Sequence, residues 1–385
     1  MNIEIAWDLW PEMIFWGVLG INALCLLAYG RQIHLWTKRL SQAPKPNQEE
    51  LIRSDVSNWI TVVIPCRNEA ENLPSLLSDL AQQTCPIEIL VVDDHSSDAT
   101  LEIAKTAGVK CISNQAHGKK AALRQAHGKV KTPWMATLDA DVRIGTDWAK
   151  SMMQCIQNNQ SGEDKETQAI LGTVRIEAKP NSHWQRFQSL EYGCLMAWIE
   201  GGVSSGTLAM GSGANSVYRT STYPANKLHE NQASGDDAYA LLAIKNNNGK
   251  IIWNSQCSAF VTTQPVQGWS ELWQQRARWA SKTIDGSDRE TTTTGWIVAA
   301  VHFALILAII SGVACGSSRG IAGILALLAA KGMMDRRLVS TAVDRYALPL
   351  KRLDLIRFPW RYAALVWGSW WHLLRGQVKW KGRKL

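Results

Sequence analysis

The sequence predicts an α/β domain built on a largely parallel sheet and bracketed by apolar helices. Three observations carry this. Between residues 58 and 264, short β-branched runs alternate with helical stretches, the pattern of strands joined by crossover helices. An uncharged apolar run, residues 13–29, precedes them, and another, residues 295–318, follows. Each approaches or reaches the roughly 20 residues that a helix needs to cross a bilayer core.

Taken in order, residues 1–30 read as an N-terminal anchor. Glu4, Asp8 and Glu12 stand before the apolar run and Arg31, His34, Lys38 and Arg39 after it. This charge asymmetry places the N-terminus outside and the following domain in the cytosol, at the cytoplasmic membrane. A cleaved signal peptide wants basic residues before the run and a small-residue cleavage site after it, and neither is present. Residues 31–57, with Pro44, Pro46, Gln48, Glu49 and Glu50, read as a polar linker. Within 58–264, strands are expected at 60–64, 87–92, 109–112 and 135–138, and helices at 71–83, 98–107 and 238–244. Residues 265–294 form an amphipathic interface helix and loop, and 295–334 a transmembrane hairpin turning at Gly316–Gly320. Residues 335–385 form a membrane-associated segment with a basic tail.

Composition narrows the function classes. With 46% hydrophobic and 19% charged residues, the 385-residue chain is a folded protein. Its net charge of +8 suits anionic partners such as lipid headgroups or a diphosphate. The 19 tryptophans against 5 phenylalanines favour bilayer interfaces, although tryptophan also fills soluble cores. Eight cysteines are scattered without a CxxC or Cys/His cluster, which argues against a disulfide framework or structural zinc. No nucleic-acid motif is present, and no GxGxxG follows the first strand.

Four clusters carry chemistry. Asp93 and Asp94 close a hydrophobic strand, where α/β proteins bind ligands, and an aspartate there accepts hydrogen bonds from a base or ribose. Ser97 or Asp98 also suits a helix cap. Asp139 and Asp141, one residue apart after another strand, suit a hard divalent cation, though such a pair is common in turns. Gly235-Asp236-Asp237 opens a helix and offers either a base or a cap by Asp236. Gly211–Asn215, small and flexible, permits close backbone approach or a plain hairpin turn. Lastly, Gln275-Arg276-Ala277-Arg278-Trp279 lies in a helix whose Trp269 and Trp273 share a face. Its arginines suit a diphosphate in fork geometry or lipid phosphates.

In this order, the residues resemble the family 2 glycosyltransferases, specifically the membrane-integrated branch. That branch includes cellulose, hyaluronan and poly-N-acetylglucosamine synthases and the ceramide and hopanoid glucosyltransferases. The resemblance spans about residues 59–282. It implies a GT-A fold, an Mg2+ or Mn2+ ion, a nucleotide-sugar donor (a UDP-sugar) and inversion at the anomeric carbon. It places Pro65, Arg67, Asn68, Glu69, Asp93, Asp94 and Lys119 (in Gly118-Lys119-Lys120-Ala121-Ala122-Leu123) at the donor. Asp139 falls on the donor and, with Asp141, on the metal; Gln275, Arg278 and Trp279 match Gln-x-x-Arg-Trp, which closes over the diphosphate. Asp236 and Asp237 fall on the catalytic acidic pair, with Asp237 as the base.

The expected activity is single transfer to a hydroxyl of a membrane lipid or lipid-linked acceptor, because one front anchor and a short rear hairpin leave little room for a polymer channel. A processive polysaccharide synthase is the alternative within this chemistry. A nucleotidyltransferase and a non-enzymatic membrane scaffold are remoter; the scaffold leaves three aspartate clusters unexplained.

Overall fold

The computed structural model describes residues 4–46, 59–159, 166–228, 235–284, 288–316, 318–376, 379–380 and 383–384. Most of the expected linker, Ser234 and parts of the basic tail lie outside them. The chain divides into two compact units, residues 39–265 and residues 1–38 with 266–384.

Helix α1 (Glu4–Gln42) comes first in the chain. The α/β unit then runs β1 (Ile60–Cys66), α2 (Leu73–Ala81), β2 (Glu88–Asp93), α3 (Thr100–Thr106), β3 (Lys110–Ser113), α4 (Lys119–His127) and β4 (Trp134–Thr137). It continues with β5 (Val142–Ile144), α5 (Trp148–Asn158), β6 (Thr167–Gly172), β7 (Val174–Ile176), α6 (His183–Ser204) and β8 (Ser216–Arg219). It ends with α7 (Asp236–Asn246), β9 (Lys250–Asn254) and β10 (Val261–Thr263). Every strand and helix expected between residues 60 and 138 is present, shifted by at most two residues at either end.

Seven strands form the main sheet in the order β3-β2-β1-β4-β8-β6-β9. Strands β3, β2, β1 and β4 are mutually parallel, so their carboxyl ends share one edge. Strand β8 runs antiparallel to both neighbours, with Ser216 opposite Thr137. The loop entering β8 therefore reaches the edge that β4 leaves. The central strands bury Ile60, Val62, Val63, Ile64, Trp134, Met135 and Ala136, the near-continuous apolar pattern of a sheet covered on both faces. A second sheet, β5-β10-β7, adds three short strands.

The helical unit contains most of α1 together with α8 (Trp269–Ile284), α9 (Arg289–Cys315), α10 (Ser318–Tyr346) and α11 (Arg352–Leu374). Two segments, Glu12–Gln42 and Arg289–Ala314, are long and apolar enough to cross a membrane. Small residues let these helices approach closely. A Cβ on Gly312 would fall 2.2 Å from Ile324 and 3.1 Å from Phe15, and one on Gly323 would fall 3.2 Å from Leu19. The amide nitrogen of Asn22 donates within this packing to the Ala304 carbonyl at 2.7 Å and to the Val18 carbonyl at 3.0 Å.

The rear hairpin differs from expectation in its second arm. The apolar stretch after Gly320 looked short because Lys331 interrupts it, yet α10 continues to Tyr346. The interruption is neutralised internally. Lys331 Nζ donates to Asp335 Oδ2 at 2.6 Å, one helical turn on, and the Tyr29 hydroxyl of α1 donates to Asp335 Oδ1 at 2.8 Å. Both charged side chains are almost fully buried, 3% and 1% exposed. Such a pair is costly to break from one side because the surviving charge stays buried. The Trp face of α8 also has a partner: Trp273 Nε1 donates to the Ala364 carbonyl of α11, where Gly368 leaves room for the indole.

Asp335→Ala is expected to destabilise the helical unit by about 3–5 kcal/mol, the usual cost of stranding a buried charge. The paired exchange Lys331→Met/Asp335→Leu is expected to recover most of that loss. Thermal unfolding of the detergent-solubilised chain measures both.

Candidate functional site

The loops at the carboxyl edge of β1, β2 and β4 bring the aspartate clusters of the α/β unit together. Their backbone is set first. Asn68, in the loop after β1, takes φ +52°, and His95, after β2, takes φ +58°. These two loops are stitched by polar contacts. Asn68 N–H donates to Ser96 Oγ, and Asn68 Oδ1 accepts from Ser97 N–H. Glu69 N–H donates to Thr100 Oγ1, and Ala70 N–H donates to Asp98 Oδ2. Burial works upward on the Asp98 carboxyl, but hydrogen bonds from Thr100 and Ala70 outweigh it and hold its pKa below the ordinary range. Asp98 also accepts from Thr100 N–H at 3.1 Å beside the start of α3, close to the expected cap, although Ala99 occupies the cap position.

Asp94 is buried and anchors the entry to α4. Its Oδ1 accepts from Asn114 Nδ2 and from Gly118 N–H, each at 2.9 Å. Its Oδ2 lies 3.8 Å from Arg67 Nη1. Asp93, its neighbour, accepts from Ser96 N–H through Oδ2. Gly118 holds φ +96°, and this left-handed residue turns the chain so that Lys119 begins the helix. Pro65 sits inside β1, opposite Val92.

Lys119 is the junction. Its Nζ donates to Asp139 Oδ1 at 2.6 Å and lies 3.5 Å from Asp236 Oδ2. Burial opposes the ammonium charge, but Asp139, Asp236 and Asp237 outweigh it and hold its pKa above the ordinary lysine range. Two motifs almost a hundred residues apart thus meet on one cation. Asp141 lies on the same β4 loop and is exposed.

Asp236 and Asp237 open α7 behind Gly235, whose φ of +94° makes it the helix cap. The capping role considered for Asp236 therefore falls to Gly235, and Asp236 turns to Lys119. Asp237 Oδ1 accepts from Ala238 N–H at 2.8 Å, and its Oδ2 accepts from Gly213 N–H at 3.1 Å. The small-residue stretch before β8 has a close-approach role, since a Cβ on Gly213 would sit 3.0 Å from Asp236 Oδ2 and 3.1 Å from Lys119 Nζ. Tyr218, buried in β8, is pushed up in pKa by burial and then by Asp237.

Arg67, Asp94, Lys119, Asp139, Asp236 and Asp237 thus form a linked polar network at the sheet edge. Gln275, Arg278 and Trp279 belong to the helical unit. There Arg276, between them, is buried, donates to Gln275 Oε1 and stacks over the Trp279 ring at 4.1 Å; Arg278 is half-buried.

Sequence reasoning missed Asn114, Tyr218 and a histidine pair. Asn114 has no motif to mark it. His95 and His117 are far apart in order, but their rings lie 4.2 Å apart, and with Asp94 they are close enough to share one ion. No comparable group of three surrounds Asp139 and Asp141 among the described residues.

Strand order and sheet-edge loops together define a GT-A fold. Residues 61–193 match the glycosyl transferase family 2 model. The 4,4'-diaponeurosporenoate glycosyltransferase of Staphylococcus haemolyticus (strain JCSC1435) is 28% identical over 193 residues, 47% of this chain and 49% of the relative. The poly-beta-1,6-N-acetyl-D-glucosamine synthase of Staphylococcus aureus (strain COL) is 24% identical over 241 residues, 61% of this chain and 57% of the relative. The chain spans about half the length of the curated relatives it matches. Among solved structures, the mannosyltransferase PcManGT from Pyrobaculum calidifontis, in complex with GDP-Man and Mn2+, superposes with a TM-score of 0.55 at 16% identity. That match covers 93% of this chain and 99% of the other, and it supports the fold.

The raised pKa of Lys119 has a measurable sign. Its stabilising effect is full below the ordinary lysine value of 10.5 and is lost as pH rises through the higher folded-state value. The stability difference between wild type and Lys119→Met is therefore expected to hold steady from pH 7 to 10 and to shrink above that range. Thermal unfolding across pH checks it.

Proposed function

We propose that the protein is an inverting, metal-dependent glycosyltransferase. It moves a sugar from a nucleoside diphosphate donor, a UDP-sugar, to a hydroxyl of a membrane lipid or lipid-linked acceptor. The observation that carries this reading is the meeting of Asp139 and Asp236 on Lys119, with Asp237 beside them and Asp94 on the same α4 entry.

Each residue has a role in this reading. Asp94, beside Arg67 and Gly118, receives the nucleoside; Pro65, Asn68, Glu69 and Asp93 shape the floor around it. Lys119 carries positive charge at the place where a diphosphate arrives, and it leaves Asp139 once the donor brings its own charges. Asp237 is the base. Its two oxygens each accept one backbone N–H, which fixes the carboxylate's orientation. In this reading the carboxylate so oriented takes the acceptor's proton. The acceptor's hydroxyl oxygen, giving its proton to Asp237, attacks C1 opposite the diphosphate as the bond between C1 and the diphosphate breaks, and no covalent intermediate is needed. Arg278 and Gln275 are assigned to the diphosphate on the strength of their motif.

The all-carboxylate set of Asp139 and Asp141 suits Mg2+ or Mn2+, which typically takes one or two carboxylates and completes its shell with water and substrate phosphates. A bound divalent ion there would neutralise charge on the departing diphosphate. The neighbour solved with GDP-Man and Mn2+ supports this assignment. The two membrane-length helices support an acceptor drawn from the bilayer, with the α/β unit on the cytosolic face. Both relatives named above are consistent with it: one glycosylates a diaponeurosporenoate and the other makes a polymer. The polymer-making relative keeps a processive synthase as the second reading.

Solubilised enzyme incubated with Mn2+, membrane lipids and a panel of radiolabelled nucleotide sugars tests the proposal. A single sugar appearing in an organic-soluble product, with release of nucleoside diphosphate, is expected. A long water-soluble polymer would favour the synthase, and release of pyrophosphate would overturn glycosyl transfer. Asp237→Asn is expected to keep UDP affinity within about threefold while turnover falls about 10²–10⁴-fold, the range for loss of a general base. Wild-type-like turnover removes Asp237 from that role. Asp139→Asn is expected to act differently, raising the Mn2+ concentration needed for half-maximal activity by at least about tenfold.

A further inference from the structure

We propose that Asp94, His95 and His117 form a binding site for a borderline transition cation of the Zn2+ type, distinct from the Asp139/Asp141 pair. One ligand atom from each of the three side chains lies within 4.8 Å of the others. In a tetrahedral zinc site, ligand atoms stand about 3.3 Å apart, which follows from metal–ligand bonds of about 2.0–2.1 Å. Both histidines are exposed, so rotation of their side chains by an ångström or so closes the set around the buried carboxylate.

Three features favour a metal over incidental neighbours. His95 Nε2 lies 2.9 Å from the Ala116 carbonyl, which can only accept, so that nitrogen carries the proton and Nδ1 keeps its lone pair. A backbone carbonyl that fixes the tautomer in this way is the usual companion of a metal-ligating imidazole. Next, His95 stands at φ +58°, a region in which histidine, like asparagine, is enriched, so the loop after β2 presents the imidazole at this turn. Finally, the two rings are held 4.2 Å apart by loops that Asp94 itself ties down through Gly118 and Asn114.

Chemistry separates this site from its neighbour. Two imidazoles and one carboxylate favour zinc or a similar late transition metal, whereas paired carboxylates favour Mg2+ or Mn2+. The opposing factor is Arg67, 3.8 Å from Asp94 Oδ2. That separation is too long for a hydrogen bond, and a cation at Asp94 has to compete with the guanidinium for the carboxylate. The consequence is regulatory, and it rests on the reading that Asp94 receives the nucleoside. Zinc and donor then claim the same carboxylate, so each weakens the other's binding, as linkage requires.

The test uses the full chain in detergent, stripped with chelator and returned to excess Mg2+ so that the oxygen-only pair is occupied. Calorimetric titration with Zn2+ is expected to show a site whose affinity falls at least about tenfold in His117→Ala and in His95→Asn. The asparagine variant keeps a residue that tolerates the left-handed backbone. Thermal midpoints near that of wild type confirm that both variants fold. Equal zinc affinity in wild type and both folded variants overturns the site. Saturating UDP is expected to weaken zinc binding at least tenfold. Zinc affinity indifferent to UDP, in protein that binds UDP, overturns the competition. A chain that binds zinc as expected but does not bind UDP leaves the metal site standing and instead overturns the donor reading.

Discussion

The sheet-edge site depends on one electrostatic constraint, a single ammonium holding carboxylates that would otherwise repel. Lys119 sits against Asp139 at 2.6 Å and near Asp236 at 3.5 Å, with Asp237 contributing to the same field. Like charges this close raise each other's cost of ionisation, and a central cation removes that penalty. The arrangement also holds the Asp139 and Asp236 side chains in place around the ammonium. Electrostatic preorganisation of this kind is what a site for diphosphate chemistry requires.

Secondary structure makes the constraint possible. Parallel strands β2, β1 and β4 deliver their following residues to one edge, and antiparallel β8 returns Gly213 to the same place. Two glycines then set the helices that supply the charges. Gly118 at φ +96° starts α4 at Lys119, and Gly235 at φ +94° starts α7 at Asp236. Gly213 contributes differently, because any side chain there would press on Asp236 and Lys119. Left-handed turns and absent side chains thus do for the backbone what Lys119 does for the charges.

The sequence made much of this legible, and the reasons are physical. Hydrophobic periodicity located β1, β2 and β4, whose buried apolar runs leave little ambiguity, and acidic pairs at their ends marked the edge. Helix ends were less legible because caps depend on geometry: Gly235 took the cap position that the sequence offered to Asp236. The length of α10 was hidden by Lys331, since a charge in an apolar run signals an end unless its partner is known. Asp335 lies one turn later, and Tyr29 comes from a helix some 300 residues earlier in order. Asn114 and the His95–His117 pair were illegible for a related reason. Each acts through a tertiary contact made by a loop, and loops carry no period.

The adjacent carboxylates of α7 show how the fold separates two roles that the sequence writes as one motif. Successive residues at the start of a helix point about 100° apart, so Asp236 and Asp237 make different hydrogen bonds and ion pairs. Asp236, buried, turns to the Lys119 ammonium, while Asp237 takes the Gly213 and Ala238 N–H groups. Backbone amides cannot leave when a substrate arrives, whereas a lysine side chain can swing toward incoming phosphate. Within the proposed reaction, Asp237 is therefore the carboxylate whose position would survive donor binding, and Asp236 the one whose partner would change. For proton abstraction, the group held by immobile donors is the better base, because its aim does not depend on the state of the rest of the site. That asymmetry is the structural argument for assigning the base to Asp237 within the proposed reaction.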